Sequence, residues 1–274
     1  MGTTIDIGPM RDLLVADWEA LDALCSSLDE RQWSLPTCLP GWTVKDVLAH
    51  VAGIERMIEG DAAPTVDVSH LEHVRNDFAA TVEVWVEDQR SLSGDAVLEG
   101  FRAAVARRRA TLAAMTQADF DAPSWTPVGR DETYGRFMRI RHFDTYLHEL
   151  DIRDALGVAD RAETAPMSMA LPEADSALGY IASRRAALPD GSVVRLDLTG
   201  PVVRTYVISV VDGRGHMLED VDREPDVTLA MSDALFLRLV GGRTRPGDHL
   251  GSDLEIAGDQ AMGLHLAAHM AVTV

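Results

Sequence analysis

Leu39-Pro40-Gly41-Trp42-Thr43-Val44-Lys45-Asp46-Val47-Leu48-Ala49-His50-Val51-Ala52-Gly53 is the stretch on which the reading of the N-terminal half turns. Its first residues close a loop that holds Pro36 and Pro40, residues that cannot continue a helix. Thr43 then precedes an apolar-periodic run, and Asp46 stands three residues later. That spacing predicts a capping-box-like start, with the threonine hydroxyl free to accept from an unpaired backbone N–H. The helix is expected to run to about Glu59 and to stop at Gly60. His50 falls in its apolar stripe, with Val47, Ile54 and Met57.

Working outward, Leu14, Trp18, Leu21, Cys25 and Leu28 follow one another at steps of four and three. They predict a helix over residues 10–29. Phe78, Val82 and Trp85 predict a third helix over 70–90, and Leu98, Phe101, Val105 and Leu112 a fourth over 95–117. A proline-containing linker over about 118–132 leads to a long helix from Thr133 to Leu156, with Gly157 as its stop. No regular strand is expected before residue 150. After Pro189-Asp190-Gly191 the pattern changes. Val193–Leu198 and Val202–Val211 are rich in β-branched residues and are separated by Thr199-Gly200-Pro201, which predicts paired strands. Asp226–Met231 and Leu254–Ala257 read as further strands, with a helix over Ser232–Val240 and another at the end of the chain. The expected fold class is therefore α+β in two domains: a helical bundle over 1–160, a connecting segment over 161–190 and a small α+β domain over 191–274.

Composition narrows the function classes. The 274 residues are 46% apolar and 25% charged, the balance of a globular protein able to bury a core without staples. The formal net charge of −19 opposes nucleic acid and anionic membrane surfaces as partners. Arg107-Arg108-Arg109 is the one basic cluster, and its helical pattern reads as a solvated face. No apolar run reaches the roughly 18 residues of a bilayer span, and the first residues lack a signal-peptide pattern. Asp6 stands where a myristoylation site needs Ser or Thr. A cytoplasmic location is the expectation. Cys25 and Cys38 lack CxxC spacing. Cys25 lies on an apolar stripe, and Cys38 lies in a loop, where a catalytic thiol is the less favoured reading.

The long helix carries Arg141, Asp144, His148 and Asp151 at steps of three, four and three, flanked by Phe137, Ile140, Leu147 and Ile152. Such a polar stripe bordered by apolar residues can face a wet cavity inside a bundle. Asp144 and His148 lie one turn apart, about 6 Å along the axis, so both can reach one ion. With His50 they make an N/O donor set that suits zinc with an open position. The plainer alternative remains open: His50 as a hydrogen-bonded core residue and Asp144/His148 as a surface pair. Two other histidine pairs, His70/His73 and His265/His269, have helical spacing but no carboxylate in phase.

The opening stretch, with its Leu-Pro-Gly-Trp-Thr segment and His50, resembles the signature of the mycothiol-dependent maleylpyruvate isomerase family, one of the DinB-like metal-dependent four-helix bundles. Arg139-Ile140-Arg141-His142-Phe143-Asp144-Thr145-Tyr146-Leu147-His148-Glu149-Leu150-Asp151-Ile152 is similar to its second signature. Leu254-Glu255-Ile256-Ala257-Gly258-Asp259 is similar to the small sterol-carrier-like domain that follows in such proteins. The resemblance implies a divalent metal, zinc by its donor set, ligated by His50, Asp144 and His148. The family usually has Glu where this chain has Asp144, one methylene shorter. Glu149 is the nearest substitute, but it is rotated about 100° from His148.

The chemistry so implied is activation of a small thiol, mycothiol, since zinc lowers the pKa of a bound thiol. Reversible addition to a cis double bond would isomerise a maleylpyruvate-like acid, and release of the adduct would make a transferase. On this reading Arg141 meets a substrate carboxylate or, alternatively, forms a salt bridge to Glu149 or another acid. Asp151 would orient His148 through its free ring N–H. The partners expected are a small electrophile and the thiol, with no nucleic acid or membrane, and the oligomeric state stays open between monomer and homodimer. The rival readings are a metal-dependent hydrolase at the same site and a non-catalytic small-molecule binding or regulatory protein.

Overall fold

The computed structural model describes residues 2–219 and 223–273. The chain divides into two compact units, Met1–Arg161 and Ala162–Val274.

The first unit is built on four long helices: α1 (Ile7–Cys25), α3 (Val44–Ile58), α5 (Gly94–Ala114) and α7 (Tyr134–Leu156). The short α2 (Glu30–Trp33) precedes α3, and α4 (Asp77–Glu87) lies between α3 and α5 in sequence. α3 packs against α5, α4 and α7, and α1 against α7 and α5. The caps explain where the helices begin. Thr43 accepts from the Asp46 amide while Asp46 accepts from the Thr43 amide, the reciprocal box expected from the sequence. Asn76 caps Ala79, so the helix expected over 70–90 runs only from Asp77 to Glu87, and residues 70–76 are irregular. Thr133 caps α7, and Gly157, at φ +67°, ends it in the left-handed region, as its freedom from a Cβ allows. Met10, Leu14, Trp18, Leu21 and Cys25 of α1 are all 1% exposed or less, so the apolar stripe read from sequence is the core face.

The linker over 118–132 is more ordered than expected. It contains α6 (Gln117–Asp121) and an antiparallel hairpin of β1 (Pro123–Thr126) and β2 (Gly129–Thr133). Strands therefore do occur before residue 150, in the stretch read as linker. Thr126 closes the turn, its hydroxyl donating to the Gly129 carbonyl and accepting from the Val128 amide. Segments so short carry too few residues to show a period in sequence.

The second unit holds a five-stranded sheet in the order β5-β4-β3-β6-β7. Its strands are β3 (Val193–Thr199), β4 (Arg204–Val211), β5 (Arg214–Leu218), β6 (Val227–Ser232) and β7 (Leu254–Gly258). Only β3 and β6 pair in parallel. α9 (Asp233–Val240) and α10 (Gln260–Ala268) follow β6 and β7. The connecting segment read over 161–190 is instead mostly helical: α8 (Thr164–Tyr180) continues into a π-helical turn at Ile181–Arg185. Met167, Leu171, Ala174 and Leu178 of α8 are buried, and the helix packs on β5, β4 and α9. Two prolines, Pro166 in its first turn and Pro172 inside it, hid this helix in the sequence, because interior proline ordinarily argues against one. Among the described residues no helix is long and apolar enough to cross a membrane.

Candidate metal centre

The capped start of α3 sets the register that buries His50, and the unbroken α7 places Asp144 and His148 one turn apart facing it. The three residues come together. One donor atom from each of His50, Asp144 and His148 lies within 4.8 Å of the other two, the one such group among the described residues. His50 Nε2 is 3.3 Å from Asp144 Oδ2, and His148 Nε2 is 3.5 Å from Asp144 Oδ1. The imidazoles are 7% and 6% exposed and the Asp144 side chain 34%, so the cluster opens to solvent at its carboxylate. Aspartate is long enough to reach both rings, and Glu149 plays no part: it is buried against Arg153 and Arg161.

The surroundings prepare these groups for a cation. His148 Nδ1 is 2.9 Å from Asp151 Oδ2, the orienting contact expected from the sequence. It fixes the ring with Nε2 turned toward Asp144. Burial pushes the His50 imidazolium down to about 4, against the pull of Asp144, so the ring is neutral near pH 7. Burial acts on His148 in the same direction, but the Asp144 and Asp151 carboxylates outweigh it and raise its pKa. Asp144 is held well below the usual carboxylate range: burial opposes this, but His148, Arg141 and His50 prevail. A neutral imidazole, an oriented imidazole and an ionised carboxylate fit a divalent ion in the zinc class.

Trp42 forms one wall. Its ring lies 5.0 Å from that of His50 and 5.9 Å from that of His148. Its indole N–H donates to Glu83 Oε2 of α4 at 2.9 Å, and Glu83 is in turn held by Arg90. Cys38 is exposed and its Sγ lies 3.3 Å from Asp151 Oδ1, at the outer edge of the same cluster.

Several residues differ from the expectation. Arg141 is 4% exposed and takes the salt bridge to another acid that the sequence left open. It bonds Glu55 through Nε and Nη2, Asp144 through Nη1 and the Thr145 hydroxyl through Nη2. Arg108 is not part of a solvated face: it is 1% exposed and bound to Glu55, Glu59 and the Tyr134 hydroxyl. His73 does have a carboxylate, Glu83, 3.1 Å away. His265 and His269 contact backbone carbonyls and, among the described residues, form no metal-competent group with a carboxylate. Glu55 and Glu83 carried no sequence signal, since a lone acid on an amphipathic helix usually faces water.

The comparisons with known proteins bear on the family and the fold. The family model described as the mycothiol maleylpyruvate isomerase N-terminal domain matches residues 14–153, and that of the C-terminal domain of the same isomerase matches residues 168–264. Two uncharacterized proteins of Mycobacterium tuberculosis are each 27% identical over 157 residues, 56% of this chain and 58% of theirs. The match thus spans little more than half the length of those curated relatives. The crystal structure of the mycothiol-dependent maleylpyruvate isomerase superposes with a TM-score of 0.59 at 17% identity, covering 94% of this chain and 96% of that one. The structure of a histidine-to-alanine mutant of it gives 0.60 over the same shares. With both family domains matched in order along most of its length, this chain belongs to the mycothiol maleylpyruvate isomerase family, a family of enzymes.

Proposed function

We propose that this chain is a cytoplasmic, metal-dependent enzyme that uses a low-molecular-weight thiol, mycothiol, on a small electrophile. The reaction is either cis–trans isomerisation of a maleylpyruvate-like acid or transfer of the thiol to the electrophile. The observation that carries the reading is the convergence of His50, Asp144 and His148 within 4.8 Å, in two stretches that resemble the family's signatures. These three residues would hold the ion, which supplies a Lewis acid able to keep a thiol ionised at neutral pH.

The chain's own residues set the conditions. Asp151 holds the His148 ring, and Arg141 fixes one side of the Asp144 carboxylate. Trp42 covers the histidine side, and the more exposed Asp144 side is the approach for thiol and electrophile. In this assignment Arg141 is a positioning residue, not a contact for substrate. No protein nucleophile is required, since the thiol is the nucleophile.

The test is elemental analysis of purified protein, followed by turnover of a panel of electrophiles with and without mycothiol. Close to one zinc per chain, lost in His148→Ala, and turnover only with the thiol are the expected results. Turnover without thiol would make the site a hydrolase. Unchanged metal content in His148→Ala would remove the assignment.

A further inference from the structure

Glu55 of α3 lies outside the donor cluster, is 1% exposed and is shared by two buried guanidiniums. Its Oε1 accepts from Arg141 Nη2 at 2.9 Å and Nε at 3.3 Å, and its Oε2 accepts from Arg108 Nε at 3.0 Å. Arg108 passes the chain of contacts on to Glu59 and Tyr134, away from the cluster. Arg141 passes it toward the cluster, with Nη1 on Asp144 Oδ2.

A guanidinium is a planar fork whose donors point in set directions. Glu55 takes Nε and one N–H of Nη2, and Nη2 also reaches the Thr145 hydroxyl at 3.5 Å, so the fork is turned with Nη1 toward Asp144. Arg141 and Asp144 are three residues apart on one helix, so without Glu55 nothing on α3 would stop the fork from closing on both carboxylate oxygens. Asp144 needs such restraint, because its side chain is the most exposed of the three donors.

We propose that Glu55 is a positioning residue of the metal centre. It holds the Arg141 fork so that one N–H reaches Asp144 Oδ2 while Oδ1 stays turned to His148. The link runs from α3 to α7, joining the helix of one histidine to the helix of the other two donors. The inference rests on the metal reading above.

Zinc affinity, measured by competition with a chromophoric chelator, tests it. Wild type, Glu55→Gln, Asp144→Asn and the double variant form a cycle. Glu55→Gln should weaken zinc binding about tenfold or more, the usual effect of losing a partner that orients a ligand. In the Asp144→Asn background the same change should have no further effect, because the group on which it acts is gone. Glu59→Gln, at the far end of the same buried chain, should leave the affinity unchanged. Should Glu55→Gln fail to fold, judged by circular dichroism, Glu55→Asp keeps the charge but falls short of the fork, and the same loss and the same coupling are expected. Wild-type affinity in the Glu55 variant, or an equal loss in both backgrounds, overturns the inference and leaves the metal reading standing. A wild-type protein that binds no zinc overturns the metal reading itself.

Discussion

Asp144 decides the character of the cluster because it touches three partners at once: His50, His148 and Arg141. If it is a ligand, Asp144→Asn should weaken zinc binding by about tenfold or more, as loss of a charged donor does, and Asp144→Glu should hold the affinity near the wild-type value. Titrating zinc into both variants checks this, and equal constants for all three proteins would make Asp144 a bystander. His50 and His148 respond to acid in opposite senses. His50 is held to about 4 in the folded protein against 6.5 for a free imidazole. The unfolded chain therefore binds more protons between those values, and the chelator-treated protein should lose stability as the pH falls from 6.5 toward 4. The loss is up to about 3 kcal/mol. His148 has a raised value, so its contribution is complete below 6.5 and fades as the pH rises through its folded pKa. Urea melts across pH 4–8 should show the acid-side slope disappear in His50→Gln while the alkaline-side loss remains. The two thiols also differ. Burial pushes Cys25 up to about 12, whereas Cys38 is exposed. Iodoacetamide should add one label per native chain and two in urea, read by mass spectrometry.

At the scale of the element, the site depends on how closely α3 can approach its neighbours. A Cβ on Gly53, three residues after His50, would lie 2.4 Å from Trp85 Cβ of α4, far inside van der Waals contact. Gly53→Ala should push α4 away and destabilise the protein by about 1–3 kcal/mol, the usual cost of overpacking, despite alanine's better helix propensity. The Thr43–Asp46 box is worth less: Thr43→Ala should cost about 1 kcal/mol. Thermal melts order the two variants, and a Gly53→Ala protein more stable than wild type would mean that α3 and α4 are less tightly apposed.

All the candidate ligands come from the first unit, and so do Asp151, Arg141, Glu55 and Trp42. The fragment 1–161 should therefore bind zinc with the affinity of the full chain. Its C-terminal residue matters. Arg161 pairs with Asp17 and Glu149, both 0% exposed. Ending the fragment at residue 157 leaves those carboxylates short of a cation, a loss of about 3 kcal/mol for a broken buried pair. Denaturant melts of the two fragments measure it, and equal midpoints would show that Arg161 contributes nothing.

What could be read from residue order was whatever repeats or punctuates locally. The Thr43 cap, the apolar stripe of α1, the uninterrupted α7 with its Gly157 stop and the alternating strands β3 and β6 each carry their signal within a few residues. The spacing of Asp144, His148 and Asp151 belongs to the same class, since one helix sets it. Tertiary structure alone decided which charges are buried. Arg108 looks the same in sequence as exposed Arg107, and only the packing of α5 on α3 puts it against Glu55. Arg141 likewise finds its acid in Glu55, a residue 86 positions away. A desolvated guanidinium must find its carboxylates wherever the fold brings them, and that partnership across helices has no period along the chain.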